Sequence, residues 1–383
     1  MRTIYLDNNA TTPVLPAVFE AMRPYLTEHY GNPSSPHHLG DRPASAVRDA
    51  RANVAALVGC TDTEIVFTSC GTESNNMAIR GVLEMNRDKR HLITTAVEHS
   101  AVLNPCKRYA SLGYDVTYLA VDRAGRLDLD ELRDALRDDT ALVAVMVANN
   151  ETGVVFPIDQ IAKIVHARGV PLHVDAVQGV GKIAIDLRSL GADFLAMSGH
   201  KLHGPKGVGA LFIRKGTRWA PVFLGGSQER GRRPGTENVA GIVAFGAACA
   251  YAAGNVARYQ KDVLALRDRF EKEILARVPD SFVNGIASER LPHTSNVGFH
   301  GIDANAMLVL LDEVGICVSA GSACKSGAGL PSHVLGAMGL SPEEASSCLR
   351  FSLSTLTTPE DVDACIEHVP AIVERMRRNF ISA

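Results

Sequence analysis

Between Glu64 and about Arg214, short apolar runs alternate with stretches of helical periodicity, and this alternation constrains the fold more than any other feature of the chain. The runs are Ile65-Val66-Phe67, Leu92-Ile93-Thr94, Val116 to Leu119, Ala141 to Val147, Leu172-His173-Val174, Phe194-Leu195-Ala196 and Gly209 to Ile213. Helical patterns start near Thr72 and Ser100 and cover residues 158–168. Continuous apolar strands separated by helices predict an α/β fold with a mainly parallel sheet covered on both faces. In such sheets a ligand lies beyond the carboxyl ends of the strands.

The residues that follow the runs are polar: Ser69-Cys70-Gly71-Thr72, Glu98-His99-Ser100, Asn149-Asn150-Glu151, Asp175-Ala176-Val177-Gln178 and Ser198-Gly199-His200-Lys201. One such cluster means little, but five at consecutive strand ends converge in space and make a site.

A charged helical pattern over 256–277 reads as a connecting helix with a solvated face. Strand candidates follow at Ser295 to Phe299, Val314 to Val318 and Leu349 to Leu353, with a last helix near Pro359 to Arg378. This second series predicts a smaller α+β domain. The expected division is a large domain over 15–255 and a small one made of 1–14 with 256–383.

Composition excludes several classes. The chain has 39 Lys and Arg against 42 Asp and Glu, a formal net charge of −3. That balance argues against nucleic-acid binding through phosphate neutralisation. The N-terminus lacks a basic head followed by an apolar stretch, so no signal peptide is expected. The longest nearly apolar run, Val239 to Gly254, is 16 residues and rich in Ala and Gly. It is short for a membrane span and reads as a buried helix. No membrane partner is expected. No two of the eight cysteines have CxxC spacing, so neither a zinc site nor a dithiol redox motif is supported. Free thiols in a reducing cytoplasm are the expectation.

The strand-end residues suggest one chemistry. A lysine after an apolar strand, among small residues, can be partly desolvated, and its amine can then attack an aldehyde. Lys201 fits, although any single lysine is more often a surface residue. Asp175 ends another strand 26 residues earlier, the spacing of one strand–helix–strand step. Pyridoxal phosphate needs such a lysine and an acid that keeps its pyridine nitrogen protonated. Gly71-Thr72 opens a helix whose N–H groups and hydroxyl can face a phosphate, and Ser198 and His200 can add donors. His99 can stack on a ring and carry protons. Gln178 can bond a ring hydroxyl, and Asn150 lies where a substrate would. Each residue alone also fits a cap or packing role.

Taken together these motifs resemble the cysteine desulfurase (NifS/IscS) group of class V pyridoxal-phosphate enzymes. The likeness spans almost the whole chain: Tyr5 to Thr12, Gly71-Thr72-Glu73-Ser74-Asn75-Asn76, Glu98-His99, Asn149 to Gly153, His173-Val174-Asp175, the lysine motif, Arg232 to Glu237, and Gly321-Ser322-Ala323-Cys324. The resemblance implies the fold-type I architecture with a seven-stranded sheet. It also implies a homodimer in which Thr236 reaches the cofactor phosphate of the other subunit. Arg230, Arg232 and Arg233 then belong to the rim of a site rather than to a nucleic-acid patch.

Cys324 separates this group from ordinary class V aminotransferases. Small and polar neighbours from about 319 to 331 predict an exposed, mobile segment, and Lys325 can lower the thiol pKa. Cys249 and Cys317 sit in apolar settings and read as buried. By resemblance Cys324 takes sulfur from L-cysteine as a persulfide, alanine leaves, and the sulfur passes to an iron–sulfur scaffold protein. Through the persulfide, Cys324 is also a candidate iron–sulfur ligand. Arg350, an arginine inside an apolar strand, is costly to bury unpaired; a substrate carboxylate or an internal ion pair can satisfy it. Asn8-Asn9, Glu151-Thr152 and the short C-terminus point to the nitrogen-fixation type (NifS) over the housekeeping type. Two rivals stay open. One is a class V aminotransferase or selenocysteine lyase in which Cys324 is incidental. The other is a sulfur carrier with a vestigial site. Cys70 has no assigned role.

Overall fold

The apolar runs form strands because β-branched and aromatic side chains on both faces are buried between helices. A computed structural model describes residues 2–321 and 331–381. Strands β2 (Ile65–Thr68), β3 (His91–Thr95), β4 (Asp115–Leu119), β5 (Thr140–Met146), β6 (Leu172–Asp175), β7 (Phe194–Ser198) and β8 (Gly209–Ile213) form one seven-stranded sheet, and β1 is the short strand Ile4–Tyr5 near the start of the chain. Its order is β2-β8-β7-β6-β5-β3-β4. The pairs from β7 through β6, β5 and β3 to β4 are parallel. Only β8 runs against its neighbours, β2 and β7. The cause is the connection: only residues 199–208 join β7 to β8, with a single 3-10 turn at Gly199–Lys201. That is too short for the crossover a parallel strand requires.

Helices Gly71–Met85, Ser100–Ser111 and Ile158–His166 follow strands β2, β3 and β5, as the periodicity predicts. Helix His38–Val58 packs against helix Val239–Ala253, and the two meet closely where Gly246 lies over Ala50. The predicted helix over 256–277 is interrupted. Val256–Arg258 passes into a π turn at Tyr259–Val263 before Leu264–Arg277. The turn carries Tyr259 into the interior, 4% exposed, with its ring edge-on to His293. Helix Val239–Ala253 is largely buried and bends by 53° into the next. Among the described residues no single helix is long and apolar enough to cross a membrane.

The C-terminal part contributes an antiparallel sheet of β9 (Ser281–Val283), β10 (Thr294–Phe299) and β12 (Cys348–Ser352), in the order β12-β10-β9. Strand β11 (Ile316–Cys317) pairs in parallel with β1. One apolar cluster draws Ile4 and Leu6 together with Phe270, Phe299, Phe351 and other residues between 259 and 376. The N-terminal strand is thus tied to the far end of the chain. Cys249 is fully buried as expected, and its thiol pKa is raised by burial. Cys317 is not: on the two-residue strand β11 it stays half-exposed, beside Asp312.

Candidate active site

All five polar clusters contribute to one cavity of about 230 Å³ at the carboxyl ends of β2, β3, β5, β6 and β7. Thr72, His99, Asn150, Asp175, Gln178 and Lys201 each line it. Strand direction explains the convergence, since four of these strands are parallel neighbours and end on the same side.

Lys201 closes the 3-10 turn after β7. Its ammonium donates to the carbonyl oxygens of Asn9 at 2.5 Å and Ala10 at 2.7 Å. Thr12 fixes the same turn by donating its N–H and hydroxyl to the carbonyl of His200, each at 2.9 Å. Asp175 ends β6 and is 7% exposed. Its carboxylate accepts from Asn75 Nδ2 at 2.7 Å and from the Val177 N–H at 3.0 Å. Asn75 Oδ1 in turn accepts from His173 Nε2 at 2.8 Å. Complete burial pushes the His173 pKa down to about 3, so the ring is neutral and orients Asn75 rather than adding charge.

At the start of helix Gly71–Met85 the chain comes close to the β6 segment. A Cβ on Gly71 would lie 2.5 Å from Val177 Cγ2, so glycine keeps this helix start open. Ser198 Oγ is buried here with no hydrogen-bond partner. His200 shares a hydrogen bond between Nδ1 and Thr11 Oγ1 at 3.1 Å. Burial, then the Lys201 charge, pushes its pKa down to about 4. Gln178 donates to the Asn9 carbonyl at 3.0 Å, while its buried Oε1 has no partner. Unpartnered buried polar atoms cost stability unless a ligand meets them. A lysine amine, a carboxylate, a helix start kept open by glycine and two orphaned oxygens fit pyridoxal phosphate.

His99 caps helix Ser100–Ser111, its Nδ1 accepting from the Ala101 N–H at 3.1 Å. The neutral ring therefore carries its proton on Nε2. Burial lowers its pKa, Asp175 opposes this, and Lys201 and His333 lower it further. Glu98, just before it, is fully buried; burial raises its pKa to about 8, and Asp175 adds to the rise.

Arg350 on β12 is 1% exposed. It donates to Asp7 Oδ1 at 2.7 Å and to the Asn150 carbonyl at 2.9 Å, while its buried Nε has no partner. An internal ion pair is therefore present, and one donor is left over. Asn150 lines the cavity with its main-chain carbonyl already used by Asn9 and Arg350.

Thr236 is exposed and does not line this cavity. Its loop is held down by Arg233, which pairs with Glu73 at 2.9 Å, and by Arg232, which donates to the Ile65 carbonyl. Arg230 lies 3.9 Å from Asp62. Cys324 and its segment lie outside the described residues. Among those described, no three His, Cys, Asp or Glu side chains gather to hold a metal ion.

Asp7, Asn9, Asn75 and Lys182 were not singled out as site residues. Asn9 is 2% exposed and bonds Asn150, Thr294 and His293 through its side chain, besides holding Lys201 and Gln178 through its carbonyl. The polar run Asp7 to Thr12 immediately after β1 was the available clue.

A model of the family described as aminotransferase class-V matches residues 4–365. A protein named cysteine desulfurase from Trichormus azollae is 54% identical over 377 residues, covering 98% of this chain and 94% of its own. Cysteine desulfurase NifS from Azotobacter vinelandii is 49% identical over 378 residues, with the same coverage. A solved structure described as a NifS-like protein superposes with a TM-score of 0.90 at 37% identity, over 100% of both chains.

Proposed function

The chain belongs to the class-V aminotransferase family, and from that premise we propose that it is a pyridoxal-phosphate-dependent L-cysteine desulfurase. The single observation that carries the reading is the cavity in which Lys201, Asp175, Gln178 and Ser198 converge beside a buried arginine. Similarity to named cysteine desulfurases over nearly the whole chain supports it.

When pyridoxal phosphate is bound, Lys201 would hold its aldehyde, Thr72, Ser198 and His200 would hold its phosphate, and Gln178 would meet its ring hydroxyl. Asp175, fixed by Asn75 and Val177, would keep a proton on its pyridine nitrogen. Bound there, pyridoxal phosphate supplies an electron sink for the carbon from which a proton is removed. The chain's own residues do the rest. Arg350 binds the carboxylate of cysteine through its unpaired Nε and through exchange with Asp7. The Lys201 amine, displaced from the aldehyde by the amine of cysteine, takes the Cα proton, which requires that it be neutral at that moment. His99, protonated on Nε2, exchanges a proton with the substrate thiol. Cys324 then attacks the substrate sulfur as a thiolate: an S–S bond forms, the C–S bond breaks, and its electron pair stays with the carbon fragment that becomes alanine.

The persulfide is delivered to a scaffold protein for iron–sulfur assembly, which makes Cys324 a candidate iron ligand as well. The nitrogen-fixation type is the finer reading, supported by Asn8-Asn9 and Glu151-Thr152. We also read the molecule as a homodimer with shared sites. Thr236 is exposed in a loop whose Leu224 and Phe223 are 94% and 45% exposed, as expected of a face that a second copy covers. We read a large domain over 15–255 and a small one from 1–14 with 256–383, a division supported by the apolar cluster that joins Ile4 and Leu6 to residues between 259 and 376. Seven described cysteines are free, which fits a reducing cytoplasm.

Incubation with L-cysteine and a thiol reductant tests the reading. Alanine and sulfide should appear in equal amounts. A keto acid in place of alanine would return the chain to the aminotransferases.

A further inference from the structure

Lys182 lies in the turn that follows Gln178 and is 1% exposed. A lysine buried to this degree ordinarily meets a carboxylate. Among the described residues none pairs with it; its amine donates to the carbonyl oxygen of Lys201 at 2.8 Å. The approach is made possible by Gly181, which has φ +72 and where a Cβ would come within 2.7 Å of Leu202 and 2.9 Å of Ala252.

Among the described residues, the titratable groups that interact electrostatically with Lys182 are bases. They are Lys201, His200 and His203 in the segment after β7, and His293 just before β10. His203 Nε2 and His293 Nδ1 are buried without partners. Burial and the Lys201 charge push the Lys182 pKa down to about 7, and all three histidines are lowered chiefly by burial. Among the described residues Lys182 forms no salt bridge, and repulsion between two amines acts equally on both.

The hydrogen bond also joins two strand ends. Lys182 belongs to the segment that carries Asp175 and Gln178 beyond β6, and Lys201 to the turn beyond β7. We propose that Lys182 is a positioning residue for Lys201: it pins the backbone of the cofactor lysine to the segment carrying the cofactor acid, and its charge disfavours a proton on the Lys201 nitrogen. An amine must be unprotonated to accept a proton or attack an aldehyde. The inference rests on the reading of Lys201 as the lysine that holds pyridoxal phosphate.

Two holoenzyme variants test it. Lys182→Met removes donor and charge, whereas Lys182→Gln keeps a donor for the Lys201 carbonyl and removes only charge. In both, the midpoint of the visible absorbance change of bound cofactor with pH should move upward by on the order of 1 pH unit, as loss of a buried neighbouring charge predicts. Uptake of pyridoxal phosphate by the cofactor-free protein should slow about tenfold in Lys182→Met, the scale of one lost buried hydrogen bond, and much less in Lys182→Gln. Should Lys182→Met fail to fold, the Lys182→Gln midpoint decides. Midpoints equal to wild type overturn the proposal. Peptide mapping after borohydride reduction separates the two levels: an adduct on Lys206 defeats the reading of the site, while an adduct on Lys201 with an unmoved midpoint defeats this inference alone.

Discussion

The side chains that carry the chemistry are few, and each is held by a neighbour that the chemistry does not name. Lys201 rests on two main-chain carbonyls, Asp175 on Asn75, and Arg350 on Asp7. Lys201→Ala should abolish turnover and covalent retention of the cofactor, read by absorbance after gel filtration. Asp175→Ala should still bind cofactor but turn over at least about 100-fold more slowly, the scale of a lost acid–base group; near-normal turnover would mean that another group protonates the ring. Glu98 gives a prediction about pH. Its folded pKa of about 8 lies above the ordinary 4.5, so the folded protein keeps a proton that the unfolded chain releases. Stability from this group is complete below the ordinary value and is lost as pH rises toward 8. Glu98→Gln should therefore lose less melting temperature than wild type between about pH 5 and about pH 9; an identical loss would mean that the carboxyl is already ionised. Lys201 and Asp175 were legible in the sequence because rare residue types stood at strand ends with the right spacing. Asn9 and Ala10 were not, because they act through carbonyls that any residue supplies.

At the level of elements, what matters is how the strand ends and the loops around them are kept in place. Strand β2 is an edge strand, and open edges are usually covered. Here Arg51 of helix His38–Val58 pairs with Glu229, with oxygen–nitrogen distances of 2.6 and 2.7 Å. Glu229 accepts from the Phe67 N–H, while Arg51 and Arg232 donate to the Ile65 carbonyl. This clamp holds Glu229 and Arg230 at positive φ, at the base of the loop that leads to Thr236. Arg51→Ala leaves a buried carboxylate and should cost about 3–5 kcal/mol in denaturant unfolding. Arg126→Ala, which breaks an exposed pair with Asp122, should cost under about 1 kcal/mol. Equal costs would remove the clamp from the account. Most strands were legible from apolar runs, because burial on both faces leaves a continuous pattern. The direction of β8 was not, since a run of five apolar residues is the same in either sense; only the short link after β7 decides it. The π turn at Tyr259–Val263 was hidden because one extra residue in a turn barely disturbs helical periodicity.

In the molecule as a whole, a site assembled from strand ends is completed by residues far away in sequence. Asp7 and Arg350 are 343 residues apart, yet they form one ion pair. That closure was legible only as two separate motifs, since periodicity carries no information on which distant segments meet. The homodimer reading predicts complementation. Mixed Lys201→Ala and Thr236→Ala subunits should regain part of the activity that each lacks alone, and an active monomer at high dilution would contradict it. Cys324 was singled out by its small, polar neighbours and by resemblance, and the functional name depends on it. The most direct measurement is mass spectrometry of the enzyme after a short incubation with L-cysteine, without reductant, alongside alanine in the same sample. The account predicts one added sulfur on the peptide containing Cys324 and one alanine per persulfide, with no persulfide and no sulfur release in Cys324→Ala. Full desulfurase activity in Cys324→Ala, or an added sulfur on Cys70 in its place, would contradict it.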